Sequence, residues 1–190
     1  MIIGILAESS NDSEPLKEII RKIITEKLNT NLSFITFESN TGIFADMNKA
    51  SKLFFEAEPN CHIAIYLNDL DDQPSRCKKI RQWATNYCSK NAQGIIVVGC
   101  PDPTFEQWFI SEENAVKNVL GLDSAEPLPY NGQHPKTRME NMVYKNQDIT
   151  ISKKSAYINI AKKLNIGVLK ERNRSFKRFY DEFVKSLQPS

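Results

Sequence analysis

Short apolar runs alternate with stretches of helical spacing through the first hundred residues. The runs are typical of buried strands, and the last one, at 94–99, is apolar throughout, as a parallel strand covered on both faces would be. The runs predict strands at about 2–7, 62–68 and 94–99, and a further strand is predicted at 32–37, where the residues alternate and are β-branched or aromatic. Because strands that alternate with helices favour parallel β-α units, we expect an α/β fold. Its Rossmann-like, mainly parallel sheet would have about four strands flanked by helices.

The helices of this first part are predicted from apolar residues that recur every three or four positions. The first begins at about Pro15, with Asp12 or Ser13 as its expected N-cap. Two more are predicted over 45–58 and 74–89, each directly before the next strand.

Beyond Cys100 the alternation stops, and prolines separate short helices and loops. Helices are predicted at 155–164 and 175–187. We expect residues 1–100 to form the α/β core. Residues 101–190 are expected to form a C-terminal helical cap or extension that packs on the same domain.

Carboxylates stand where two of the predicted strands end. Glu8 follows the first strand, and Asp69 and Asp71 follow the third. Ligands of open α/β sheets bind outside the carboxyl ends of the strands, so these acids are expected at one edge of the sheet. Oxygen ligands suit Mg²⁺, and few carboxylates are needed because the ion keeps several waters. We predict a site for Mg²⁺ or Mn²⁺ on Glu8, Asp69 and Asp71, with Asp12 as a further ligand.

Each of these acids also has a purely structural explanation. Glu8 is a carboxylate at a helix start, where the helix dipole favours negative charge. Asp69 to Asp72 are residues of the kind that form a turn and an N-cap before the helix predicted at Pro74. The coincidence of acids at two strand ends favours the metal site over these alternatives.

Two further positions carry candidate chemistry. Glu106 follows the fourth strand and is predicted as another metal ligand or as a base that orients water, the alternative being a first-turn helix acid. Lys153 and Lys154 precede a predicted helix, and one of them, with Lys154 as the candidate, is predicted to stabilise a phosphate. The alternative is a pair of solvated lysines.

Charge is distributed unevenly between the two parts of the chain. Residues 1–132 carry 12 basic and 18 acidic side chains, whereas residues 133–190 carry 13 basic and 5 acidic ones. An acidic part followed by a basic part is typical of a protein that holds a metal and receives a polyanion, so nucleic acid is the expected partner. The alternative is a solvated helical face.

The cysteines and the apolar runs bear on the cellular compartment. Cys61, Cys77, Cys88 and Cys100 include no C-x-x-C pair, and they are expected to be reduced, in or near the core. No run approaches the ~20 apolar residues of a membrane span, and the N-terminus lacks the basic region of a signal peptide. We expect a cytoplasmic protein with no membrane association.

The order of strand, glutamate, helix, strand and Asp-x-Asp resembles the Toprim domain of topoisomerases, primases and OLD-type nucleases. The spacing from Glu8 to Asp12 is similar to the OLD-type variant. Three blocks resemble more closely a small Toprim-like bacterial family, akin to the RloB proteins, often found beside ATPases in defence gene clusters. The blocks are Glu8 to Ile20, Pro103 to Phe109 and Asn173 to Phe179.

This resemblance implies a Toprim-like fold with Mg²⁺ as the cofactor. The ligands it implies are Glu8, Asp69 and Asp71, with Asp12, Glu106 and a lysine near 153–154 assisting. It also implies hydrolysis of DNA or RNA in bacterial anti-phage defence, with an ATPase as the partner protein.

One residue departs from the Toprim pattern. Ser9 stands where these domains usually carry Gly, which permits close approach of the backbone to a metal or phosphate. We expect a Mg²⁺-dependent nuclease. The alternative is a non-catalytic Toprim-like subunit that regulates or docks onto an ATPase complex.

Overall fold

The fold consists of alternating strands and helices up to residue 99, followed by helices. The computed structural model describes residues 1–28, 31–40, 42–91, 94–145 and 151–188. The strands in these ranges are β1 Ile2–Ala7, β2 Ser33–Glu38, β3 Ile63–Leu67 and β4 Ile95–Gly99. The helices are α1 Ser10–Thr25, α2 Ile43–Phe55, α3 Ser75–Asn91, α4 Glu106–Ile110, α5 Glu113–Leu120, α6 Pro135–Lys145, α7 Lys153–Lys163, α8 Ile166–Arg172 and α9 Arg174–Ser186.

In the described residues the four strands form one sheet in the order β2-β1-β3-β4, and every neighbouring pair is parallel. The predicted α/β class, with a Rossmann-like parallel sheet flanked by helices, is confirmed. The chain moves from β1 outward to β2 and then returns to the other side of β1. The strand order therefore reverses between β1 and β3, which is where open α/β sheets form a ligand-binding crevice.

Both faces of the two central strands, β1 and β3, are buried, as their apolar sequences require. Ile3 and Ile5 face one apolar cluster together with α1 and α7, whereas Leu6 and Tyr66 face a second cluster with α2 and α3. Gly4 lies on the second face, where an added Cβ would meet the Phe54 ring at 2.6 Å. The glycine thus lets α2 approach the central strand closely.

The helices after β4 complete the first of these clusters. Trp108 of α4 is fully buried, and its ring lies 5.1 Å from that of Phe176 and 5.4 Å from that of Phe179, both in α9. Its indole Nε1 donates a hydrogen bond to Oγ of Ser175 (2.8 Å). The same cluster includes Ile65 and Val97 of the sheet, so these helices and the strands share one core.

The first helix differs most from its prediction. It begins at Ser10 instead of about Pro15, and Ser9, not Asp12 or Ser13, is the N-cap. Oγ of Ser9 accepts a hydrogen bond from the backbone N–H of Asn11 (3.2 Å), which satisfies an amide that lacks a partner within the helix. Pro15 lies inside the helix, where its buried ring packs in the core at the expense of one backbone hydrogen bond.

The expectation of four reduced cysteines is wrong for one pair. Cys77 and Cys100 form a disulfide with their Cα atoms 5.9 Å apart, and Cys61 and Cys88 are free. The β3-α3-β4 crossover brings the start of α3 against the end of β4, a contact that a separation of 23 residues does not reveal.

None of the described helices has the length and apolar character to cross a bilayer.

The shared core predicts a large cost for truncating an aromatic side chain of α9. Phe179→Ala should lower the free energy of unfolding by about 3–5 kcal/mol, because the buried ring stacks on Trp108 and leaves a cavity. Tyr144→Ala is the matched control, since Tyr144 is 66% exposed and its loss should cost less than about 0.5 kcal/mol. Urea unfolding followed by circular dichroism measures both, and equal costs would contradict the packing described.

Candidate functional site

Four of the predicted acids line one cavity at the point where the strand order reverses. Glu8 follows β1 directly, Asp69 lies two residues beyond β3, and the two strands are neighbours in the sheet. The cavity has a volume of about 520 Å³. Its charged side chains, within the described residues, are Glu8, Asp12, Asp69, Glu106, Lys136 and Lys153.

The start of α1 positions Asp12. Oγ of Ser9, while capping the helix, donates a hydrogen bond to Oδ2 of Asp12 (2.7 Å). Ser9 itself has φ −153° and ψ 168°, an extended backbone conformation that any residue adopts. Serine in place of the usual Toprim glycine is therefore free of backbone strain, and its hydroxyl fixes a neighbouring acid.

The segment after β4 positions Asp69. The backbone N–H of Phe105 donates to Oδ1 of Asp69 (2.9 Å). In the loop after β3, the backbone N–H of Leu70 donates a hydrogen bond to the carbonyl oxygen of Pro101 (3.1 Å). A further bond runs from the N–H of Asp71 to the carbonyl oxygen of Pro103 (3.0 Å). The two strand-end loops are thus held together by their backbones.

Glu106 follows Phe105 and is buried, with 3% of its surface exposed. Its Oε1 accepts a hydrogen bond from the hydroxyl of Tyr157 (3.1 Å) and lies 3.8 Å from Nζ of Lys153. Lys153 also forms a closer ion pair with Glu140 (2.7 Å). The start of α7 therefore supplies a cation to the wall of the acidic cavity.

Two predicted residues lie outside the cavity. Asp71 is exposed and pairs with Arg76 (2.6 Å), and its φ of +45° turns the chain away from the strand direction that would have aligned it with Asp69. Lys154 is exposed, whereas its neighbour Lys153 lines the cavity, because successive helical residues point about 100° apart.

Lys136 and Tyr157 are site residues that the sequence analysis did not single out. Lys136 lies in the first turn of α6, beside the cavity, and Tyr157 contacts Glu106 from α7. Neither has a sequence signal, because both reach the site through the packing of helices that follow the sheet.

Burial and the charge of neighbouring carboxylates raise the pKa values of two cavity acids, Asp69 and Asp12. The pKa of Asp69 is raised to about 8, mainly by burial and also by the carboxylates of Asp12, Glu106, Glu8 and Asp71. Burial also raises the pKa of Asp12 to about 6, against the lowering effect of the hydrogen bond from Ser9. At neutral pH a cation that enters the cavity would displace a proton.

The donor chemistry of the cavity fits a hard divalent cation, because every carboxylate offers only oxygen. Within the ranges that the structure describes, however, no three His, Cys, Asp or Glu side chains are already grouped closely enough to hold a metal ion. A metal here would require the carboxylates of Glu8, Asp12, Asp69 and Glu106 to turn toward one another.

Comparison of the chain with protein-family models, with curated proteins and with solved structures finds no match. The Toprim resemblance therefore rests on the sequence motifs, and the fold on the coordinates.

The raised pKa of Asp69 predicts a pH-dependent stability. The carboxyl has a pKa of about 8 in the folded chain and an ordinary value of 3.8. Between pH 3.8 and about pH 8 the folded state binds more protons than the unfolded state, so the free energy of unfolding falls as the pH rises. Asp69→Asn removes this effect. With each pH unit, the free energy of unfolding of the wild type should therefore fall by up to about 1.4 kcal/mol relative to that of the variant.

Urea unfolding from pH 5 to pH 8, with EDTA present, measures these slopes. Asp72→Asn is the matched control, since Asp72 is exposed and its φ of +61° suits asparagine. It should keep the wild-type slope. Parallel slopes for the wild type and Asp69→Asn would show that Asp69 titrates normally.

Proposed function

We propose that this protein is a nuclease that depends on Mg²⁺ or Mn²⁺ and hydrolyses phosphodiester bonds of DNA or RNA. The observation that carries the proposal is the single cavity that Glu8, Asp12, Asp69 and Glu106 line at the reversal point of the sheet. Structural acids are commonly exposed or paired singly, whereas these four share one pocket, in which the pKa values of Asp12 and Asp69 are raised.

The four carboxylates would hold the cation in this proposal. When bound, a divalent ion supplies charge neutralisation on a phosphodiester and a more acidic water. Lys153 is placed to contact a phosphate oxygen, since Glu140 and Glu106 orient its ammonium group at the cavity wall. Lys136, exposed at the cavity, adds a second positive charge for a polyanion.

The sequence supports the biological setting of the proposal. The surplus of basic residues in 133–190 suits a nucleic-acid substrate. The resemblance to Toprim-like proteins of defence gene clusters supports a cytoplasmic role in anti-phage defence with an ATPase partner.

One observation favours the alternative, a non-catalytic Toprim-like subunit of an ATPase complex. Asp71, the second acid of the Asp-x-Asp motif, is engaged by Arg76 outside the cavity. In that alternative the acid cluster would be a remnant of a metal site, and cation binding would be weak or absent.

Metal binding separates the two proposals. Titration calorimetry with Mn²⁺ should show binding that Asp69→Asn weakens about tenfold or more, equivalent to about 1.4 kcal/mol, because one charged ligand is lost. Asp71→Asn should change the affinity less than threefold, since Asp71 lies outside the cavity. Proton release, measured in buffers of different ionisation enthalpy, should accompany binding. Absence of Mn²⁺ binding to the wild type would favour the subunit over the nuclease.

Cleavage assays test the role of the lysine. Lys153→Met should reduce the cleavage rate about 100-fold through loss of a charge on the phosphate, and Lys154→Met, the adjacent exposed control, should stay within threefold. Each protein variant is incubated in Mn²⁺ with plasmid, linear duplex DNA, single-stranded DNA and RNA. The incubations are repeated with any ATPase that is encoded beside the gene. Thermal melting checks that each variant folds. If every substrate stays intact under all these conditions, the nuclease proposal fails.

A further inference from the structure

Outside the acidic cavity, the Cys77–Cys100 disulfide lies beside a second cavity of different chemistry. Cys77 is half-buried and lines this cavity, whereas Cys100 is 6% exposed. The Cys77 side of the disulfide therefore faces a cavity that a dissolved reagent can enter, whereas the Cys100 side is buried.

This second cavity, of about 670 Å³, is cationic. Among the described residues, the charged side chains that line it are Lys78, Arg81 and Arg178. Glu182, which accepts hydrogen bonds from both arginines, is not among the lining residues. The volume is that of a small-molecule site, and its charge would attract an anion.

Arg81 is fixed against the disulfide. Its Nε donates a hydrogen bond to Sγ of Cys77 (3.0 Å), and its Nη2 donates to the carbonyl oxygen of Val98 (2.9 Å). With Glu182 also engaging the guanidinium, Arg81 is held in one orientation. A guanidinium beside this sulfur stabilises the thiolate that Cys77 forms whenever the disulfide is fully reduced.

From these observations we propose that Cys77 is a site of reversible modification by a small anionic thiol, which the cationic cavity binds. The thiolate of the small molecule attacks Sγ of Cys77 and forms a new sulfur–sulfur bond. The Cys77–Cys100 bond breaks, and its electron pair leaves on Sγ of Cys100, which takes a proton from water. The reverse attack by Cys100 expels the small thiol and restores the disulfide.

A second thiol molecule completes the reduction. It attacks the sulfur of the small molecule in the mixed disulfide, and the electron pair leaves on Sγ of Cys77 beside Arg81. In total, two small thiols are oxidised to their disulfide and Cys77 and Cys100 gain two electrons. The free thiols of Cys61 and Cys88 cannot take up a reduced thiol without an added oxidant, so this reaction is specific to the disulfide.

The test uses purified protein, dialysed without reductant, and two probes of opposite charge. Reduced glutathione is anionic and cysteamine is cationic. The rate at which each thiol reacts with the protein disulfide is divided by its rate of reaction with an uncharged model disulfide. After alkylation, peptide mass mapping should find glutathione on Cys77 and alkyl on Cys100. The normalised rate for glutathione should exceed that for cysteamine about tenfold and fall toward it in 0.5 M salt.

Charge-removing variants identify the cavity as the cause. Lys78→Gln and Arg178→Gln should each lower the rate of reaction with glutathione severalfold. The rate of reaction with cysteamine should stay the same or rise. Lys79→Gln is the matched control, since Lys79 is an exposed neighbour that does not line the cavity. The proposal is overturned if Cys77 and Cys100 are both free thiols at the start, if the adduct forms on Cys100, or if the normalised rates for the two probes are equal.

Discussion

The hydrogen bond from the backbone N–H of Phe105 to Oδ1 of Asp69 is the constraint on which the acidic cavity depends. It joins the loop after β3 to the segment after β4, and two backbone bonds from Leu70 and Asp71 reinforce the join. Because Glu106 follows Phe105 directly, the same segment also positions the buried acid of α4. The disulfide at Cys100 anchors the start of this segment to α3. Two acids that are far apart in the sequence are therefore held by one short stretch of backbone.

The cavity is electrostatically unfavourable as a purely structural feature. Asp69 loses hydration through burial, faces four other carboxylates and is left with a pKa of about 8. An apolar residue at this position would cost the fold less, since a buried carboxyl without a cation is destabilising when ionised. Lys153 offsets only part of the charge, since its closer partner is Glu140, which does not line the cavity. Perturbed pKa values such as those of Asp69 and Asp12 are concentrated at functional sites, and this is the physical basis of the proposed metal site.

The fold was predictable from the sequence because β1, β3 and β4 are continuous apolar runs and β2 is an alternating, β-branched and aromatic segment. The rule that ligands bind at the carboxyl ends of strands also located Glu8, Asp69 and Glu106, since it depends only on where strands end. The rule does not predict the direction of a side chain. Whether Lys153 or Lys154 lines the cavity depends on the rotation between successive helical residues. The disulfide depends on how α3 packs against the end of β4. Lys136 reaches the cavity only through the packing of α6, which local sequence does not encode.

The Asp-x-Asp motif shows how strand geometry limits an argument from spacing. In a continuing strand, residues two apart face the same side. Here β3 ends at Leu67, and the φ of +45° at Asp71 turns the chain so that this residue pairs with Arg76. Asp69 instead shares its cavity with Asp12 from the first turn of α1 and Glu106 from α4. The partners of Asp69 thus come from two elements, α1 and α4, that converge on one edge of the sheet, and Asp71 contributes to the loop that holds Asp69 in place.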